Sequence, residues 1–370
     1  MPTYEDLGIR PLINAAATLT RLGGSRMPAP VLAAMAGAAG AFVNLDALQQ
    51  RVGTRIAELT GNQACYVSSG AAAGLTLATA ACVAGSDPPA MARFPYLEGG
   101  RCEVVIHRAQ RNGYDFAVRQ TGVRLVEIGT AHGTFAWELE AAISERTACV
   151  IYFAGAHFAQ GALPLEQVLA IAHARGVPVI VDAAAQIPPI ANLWRFTRDM
   201  GADIAVFSGG KGLRGPQSAG LVLGRPDLIA ACQANGSPNH SIGRPMKVGK
   251  EELVGMLAAV EWSLAQDEPA LLAQYETMVQ LWLEDLADLP GVQVARGYPS
   301  EAGQPHSRAI VRLSPAATLT RDQLVAALLA GDPPVAVGAI GDDAIALNPQ
   351  TLEPGEEHQV LAALKRALKG

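Results

Sequence analysis

The segment Phe207-Ser208-Gly209-Gly210-Lys211-Gly212-Leu213-Arg214-Gly215-Pro216-Gln217 holds a lysine between glycines. An amine with such small neighbours can come close to a bound molecule, as a nucleophile or as a base. A solvated lysine in a surface loop has the same local pattern, so the stretch needs company before it means chemistry. Upstream, the apolar run 178–181 ends in Asp182. A carboxylate at the C-terminal end of a parallel strand points into the crevice where such sheets bind ligands, and capping the next helix is its plainer use. Further upstream, residues 65–67 lead into Ser68-Ser69-Gly70-Ala71-Ala72-Ala73-Gly74, which opens an Ala-rich stretch. Small residues there let backbone N–H groups and Ser hydroxyls reach an anion at a helix N-terminus, although an ordinary N-cap has the same look.

The order of the three discriminates between these uses. An anion loop, a strand-end acid and a glycine-flanked lysine, each after an expected strand, form the set that pyridoxal 5′-phosphate (PLP) chemistry needs. The carboxylate keeps the pyridine nitrogen protonated, and that charge lets the ring accept electrons from the substrate Cα.

These residues need elements that hold them. Apolar runs at 104–107, 124–128, 149–153, 178–181, 204–208 and 219–223 read as buried strands. Helical stretches at 137–144, 165–175 and 190–200 lie between several of them. Such alternation predicts an α/β fold with a mostly parallel sheet, helices on both faces and right-handed crossovers. Residues 250–266 and 268–288 read as helices, and Pro290-Gly291 as a turn. Short strands at 292–295, 309–313 and 344–347 with helices at 321–329 and 355–368 follow, the pattern of a smaller α+β domain. The expected division is a large domain over 1–250 and a small one over 251–370.

Composition limits the partners. A net charge of −6 across 370 residues counts against a broad nucleic-acid surface. The five cysteines are scattered without a C-x-x-C pair, the pattern of inert thiols in a reducing cytoplasm. The first residues carry acids and no apolar signal core, and Ser, Thr and Gly interrupt the apolar run 64–84. A cytoplasmic protein without a membrane span is expected. No group of residues reads as a metal site.

At the level of motifs the chain resembles the selenocysteine synthase family, in the group that includes D-glucosaminate-6-phosphate ammonia-lyase. The matching segments are Ile13-Asn14-Ala15-Ala16, Thr20-Arg21-Leu22-Gly23-Gly24-Ser25, Leu59-Thr60-Gly61 and the Ser68–Gly74 loop quoted above. Val181-Asp182-Ala183-Ala184-Ala185, Lys211-Gly212-Leu213-Arg214-Gly215-Pro216-Gln217 and Gly243-Arg244-Pro245-Met246-Lys247-Val248-Gly249-Lys250 complete the set, with the lysine segment the most specific. The resemblance covers roughly the first 250 residues. It implies the aspartate-aminotransferase-like fold (fold type I), PLP as cofactor, Lys211 as the Schiff-base lysine and Asp182 as the pyridinium partner. Ser69, Gly70 and Ala71 would hold the phosphate with Ser208 as helper. Ala184 would lie against one ring face, and Gln186 would reach the phenolic oxygen or serve as an ordinary polar turn. A ring-stacking side chain is expected after the strand at 104–106, with His107, Gln110 and Arg111 as candidates. The family's tRNA-gripping N-terminal helical domain has no counterpart here, so selenium transfer to seryl-tRNA is not expected.

The implied reaction is a PLP-dependent lyase step on an amino acid or amino sugar acid. Lys211 would take the Cα proton, a β-hydroxyl would leave, and hydrolysis would release a 2-oxo acid and ammonia. Racemisation, retro-aldol cleavage and C–S elimination start the same way, and the residues do not decide among them. A non-catalytic binding protein on the same fold is the rival from another class. Arg244, Lys247 and Lys250 form a basic run suited to anionic substrate groups, with Arg21 and Arg26 as further contacts. His157 and Gln160, after the strand at 149–153, would point toward the cofactor crevice, a core histidine being the alternative for His157. The superfamily's habit of sharing sites between subunits implies a homodimer or a higher assembly.

Overall fold

The computed structural model describes residues 2–130 and 132–369. They form two compact units: one runs from Met27 to Gln266, and the other joins the residues up to Arg26 to those from Asp267 onward.

Strand β1 (Ile13–Ala15) belongs to the smaller unit. The larger unit holds β2 (Ala64–Ser68), β3 (Glu103–His107), β4 (Arg124–Ile128), β5 (Thr147–Phe153), β6 (Val179–Asp182), β7 (Ile204–Ser208) and β8 (Gly220–Gly224). Its sheet has the order β2-β8-β7-β6-β5-β3-β4. Only β8 runs against its neighbours, so β2, β3, β5, β6 and β7 all end on one edge. The near-continuous Val/Ile/Leu content of the strands is the mark of a sheet buried on both faces. Alternate residues divide between two cores. Val105, Val150, Tyr152, Val181 and Phe207 face one core; Ile106, Ile151, Phe153, Ile180 and Val206 face the other.

Helices α1 (Ala29–Ala39), α2 (Leu45–Thr60) and α3 (Gly70–Ala84) precede the sheet's interior. Asn44 caps α2 through Oδ1 and the Ala47 N–H at 2.9 Å. Residues of α3 line the second core, which accounts for its many small and apolar side chains, with Thr76 and Thr79 buried among them. The stretch expected as one helix at 190–200 is a short helix (Asn192–Trp194) followed by a π-helical turn (Arg195–Asp199).

The smaller unit continues with β9 (Val292–Gly297), β10 (Arg308–Leu313), β11 (Val335–Ile340) and β12 (Ala344–Leu347), in the order β1-β11-β12-β10-β9. Strand β1 pairs in parallel with β11, Ile13 opposite Val335. The N-terminal residues therefore group with the C-terminal sheet, and not with the large domain where the expected division had put them. The other boundary also moves. The helix Lys250–Leu264 packs into the larger core through Leu253, Met256, Ala259 and Val260, and Asp267 then caps the next helix. That burial puts the division at 266/267 rather than 250.

Candidate active site

Ser68, Asp182 and Ser208 close β2, β6 and β7 on the shared edge. By side-chain alternation, they fall on the face covered by α3. The chain passes from Ser68 into α3 through Ser69 and Gly70. Gly70 has φ +84°, and a Cβ added there would meet nothing within 4 Å. The Ser69 side chain makes no capping bond to its own helix. An open, Cβ-free turn at the start of a 15-residue helix, with a hydroxyl not used locally, fits a phosphate group.

Asp182 is 8% exposed. Its Oδ1 accepts the Ala184 N–H at 2.9 Å. Burial pushes its carboxyl above the ordinary range, against the opposing pull of that N–H and of the Lys211 charge. A buried carboxylate this lightly compensated fits a protonated ring nitrogen as its counter-ion. Ala184 is tied to the next strand, its carbonyl accepting the Ser208 N–H at 3.4 Å. Gln186 is buried, and its Nε2 donates to Ala154 O at 3.2 Å.

Lys211 lies in a tight turn after β7, with the Arg214 N–H bonded to the Lys211 carbonyl at 3.0 Å. Its glycine neighbours serve a purpose other than the one expected from sequence. A Cβ on Gly210 would fall 2.5 Å from Gln217 Cα, and one on Gly212 would fall 2.1 Å from the Ile187 carbonyl oxygen. Polypeptide, not open space, occupies both positions, so the glycines let the loop fold on its surroundings and fix where the lysine starts. Arg214 holds φ +52° in that loop, its guanidinium 5.4 Å from the Trp262 ring centroid.

The other candidates separate. His107 is fully buried with neither ring nitrogen hydrogen-bonded among the described residues, and it meets Tyr152 edge-on at 6.0 Å. Being two residues after Val105, it turns to the sheet face opposite Asp182, so it is displaced from the ring-stacking role by strand parity. Gln110 is also buried, its amide bound to backbone at Phe153 and Phe158. Arg111 is ion-paired with Asp115 at 2.6 Å and with Glu127. His157 and Gln160 are exposed in and after the short helix Ala156–Ala159 that follows β5, and the His157 ring lies 3.9 Å from that of Phe158.

The basic run divides as well. Lys250 donates to Ala39 O at 3.2 Å and pairs with Glu251. Arg244, half-buried, and Lys247, exposed, have no side-chain hydrogen bond or ion pair among the described residues. Arg21 is exposed at the Thr20–Leu22 turn of the smaller unit, where Arg26 pairs with Glu356 at 2.6 Å. Among the described residues, no group of His, Cys, Asp and Glu could hold a metal ion.

Comparison with known proteins gives a consistent setting. The model of the aminotransferase class-V family matches residues 102–341. The chain is similar to 5′-C-glycyluridine monooxygenase-decarboxylase of a Streptomyces species, 34% identical over 99% of this chain and 92% of that one. It is similar to D-glucosaminate-6-phosphate ammonia lyase of Salmonella typhimurium, 33% identical over 98% of this chain and 96% of that one. A solved structure of D-glucosaminate-6-phosphate ammonia-lyase superposes with a TM-score of 0.86 at 32% identity, covering 100% and 99% of the two chains. L-seryl-tRNA(Sec) selenium transferase of Moorella thermoacetica is 28% identical over 99% of this chain and 84% of its own.

Proposed function

This chain belongs to the aminotransferase class-V family and is a PLP enzyme; on that premise we propose that it is a lyase releasing ammonia from an amino acid or amino sugar acid. The observation that carries the proposal is the convergence, on one sheet edge, of an open helix-start loop, an under-compensated buried aspartate and a lysine turn. The similarity to an ammonia lyase over nearly the full length of both chains supports it.

PLP, when bound, supplies an electron-accepting ring that stabilises negative charge at the substrate Cα. The residues of this chain do the rest. Ser69, Gly70 and Ala71 hold the phosphate, with Ser208 beside them. Asp182 would keep a proton on the ring nitrogen, with Ala184 toward one ring face and Gln186 toward the same end of the site. Lys211 would hold the cofactor through Nζ, and its amine would be the base that takes the Cα proton. A β-hydroxyl then leaves as water, water returns on hydrolysis, and the net products are a 2-oxo acid and ammonia. Arg244 and Lys247, as cations without side-chain partners among the described residues, bind the anionic groups of the substrate, and an acid carrying a phosphate or a second carboxylate suits them. His157 and Gln160 contribute from the segment after β5.

Two wider readings go with this one. Leu32, Phe42 and Val43, in and just after α1, are exposed apolar side chains, with Phe42 wholly uncovered. A second copy of the chain covering that face makes a homodimer or a higher assembly. All five cysteines are free and buried, in keeping with the cytoplasm. Among the described residues, no helix is long and apolar enough to cross a membrane.

A second reading has its own support: the 34% identical relative is a monooxygenase-decarboxylase. One assay separates the two. Amino sugar acids and β-hydroxy amino acids are incubated with the PLP-loaded enzyme with and without oxygen. Ammonia and 2-oxo acid released equally in both support the lyase, whereas carbon dioxide release that needs oxygen would replace it.

A further inference from the structure

We propose that Gln110 is a positioning residue for the cofactor-ring end of the site, acting through backbone and touching neither cofactor nor substrate. The proposal rests on the PLP reading above.

Backbone polarity along β5 sets the requirement. The Val150 N–H bonds Pro178 O at 2.9 Å and the Ala154 N–H bonds Asp182 O at 2.9 Å, both on the β6 side. Residues of the other parity, Phe153 among them, turn their N–H and C=O toward β3. There the strand runs out. The matched register of β3 with β5 ends at Ile106 opposite Ile151, and after His107 the chain turns away through Arg108–Gln110. Phe153 is 2% exposed, so its N–H and C=O would be buried without partners.

Gln110 supplies both. Its Oε1 accepts the Phe153 N–H at 3.1 Å, and its Nε2 donates to Phe153 O at 3.2 Å and to Phe158 O at 3.4 Å. One primary amide thus takes the place of a missing strand residue, a task that needs a donor and an acceptor on one short planar group. From there the contacts run straight to the site. Ala154, the next residue, holds Asp182 through its N–H, and its carbonyl accepts Gln186 Nε2 at 3.2 Å. The same amide anchors Phe158, beside His157. Gln110 therefore fixes the backbone on which Asp182, Gln186 and His157 all depend.

The test compares wild type, Gln110→Leu and Gln110→Glu. Leucine keeps the volume and loses all three bonds. A glutamic acid restores donor and acceptor when protonated and loses the donor when ionised. PLP affinity is measured by fluorescence on the apoprotein, together with the pH titration of the bound cofactor's visible absorption, which reports the protonation that Asp182 controls. Gln110→Leu is expected to bind PLP roughly tenfold more weakly or worse, and to titrate differently from wild type. If Gln110→Leu does not fold, Gln110→Glu carries the test: its affinity deficit relative to wild type should shrink as the pH is lowered. A lower melting temperature with wild-type affinity and titration would overturn the proposal, leaving Gln110 a purely structural bracket. Wild type that takes up no PLP would sink the PLP reading itself, and this proposal with it.

Discussion

Asp182 and Asp203 are both buried acids of the larger sheet, at 8% and 5% exposed, and they sit on opposite edges. Asp203, just before β7, is fully engaged. It accepts the Val179 N–H at 2.8 Å, His173 Nε2 at 2.8 Å and Arg225 Nη1 at 2.7 Å. Asp182 accepts the Ala184 N–H and feels the Lys211 charge, and its carboxyl stays above the usual range. Burying a carboxylate is costly unless hydrogen bonds and counter-charges replace the lost water. On the Asp203 edge the protein supplies that replacement and obtains a latch between β6, β7 and the end of β8. On the Asp182 edge less of that replacement is supplied, and under the proposed function the bound cofactor completes it.

Substitutions can break or sharpen this contrast. The largest effect is expected from Lys211→Ala, with turnover falling by about 10³-fold or more as the base and the cofactor link are lost together. Steady-state assays on the PLP-loaded variant check it. Asp182→Asn is expected to lower kcat by roughly 10²-fold, as when one preorganised electrostatic group is removed. Its melting temperature without PLP should hold or rise, because a lightly compensated buried charge disappears. Asp203→Asn should do the reverse. It should cost roughly 3 kcal/mol in urea unfolding, the scale of a broken buried ion pair, while kcat per folded molecule is kept. A large kcat loss in Asp203→Asn with intact stability would erase the contrast.

His107 tests whether poor compensation alone marks a site. Both its nitrogens lack partners among the described residues, and burial holds its pKa down to about 4 from 6.5. At pH 7 the imidazole is neutral in folded and unfolded chains alike. As pH falls below about 6.5 the unfolded chain takes a proton that the folded one refuses, so stability drains away until about pH 4. At pH 5 that loss is about 2 kcal/mol, and His107→Phe should abolish it without altering kcat. Unfolding curves at pH 5 and 7 decide this. Because His107 faces away from Asp182, a kcat change would place it in the site after all. The smallest effect is expected from Arg244→Gln, about a tenfold rise in KM at constant kcat, the signature of lost ground-state binding.

The parts of the site legible in the sequence were those carried by short segments. Ser69-Gly70-Ala71 and Lys211 each follow, and Asp182 closes, a strand whose apolar run is local, and their shared edge follows from parallel topology. Features set by distant pairing were not legible. Ile13–Ala15 finds its partner at Val335–Ile340, far along the chain, so nothing near the N-terminus announces which sheet it joins. The face on which His107 falls depends on the register of β3 against β5 and β6, which is tertiary information. Gln110 is expected as a ring-stacking candidate, and only the early end of β3 reveals the backbone groups it serves. The glycines around Lys211 are expected to open space beside it, a reason that the Ile187 carbonyl corrects.

The most direct measurement is borohydride reduction of the PLP-loaded protein followed by peptide mapping. The chain has five lysines, Lys211, Lys247, Lys250, Lys365 and Lys369, so the assignment has defined alternatives. The expected result is a phosphopyridoxyl group on Lys211 alone, with loss of the visible absorption and of the label in Lys211→Ala. Label on any of the other four, or none on wild type that has been given PLP, would contradict the account.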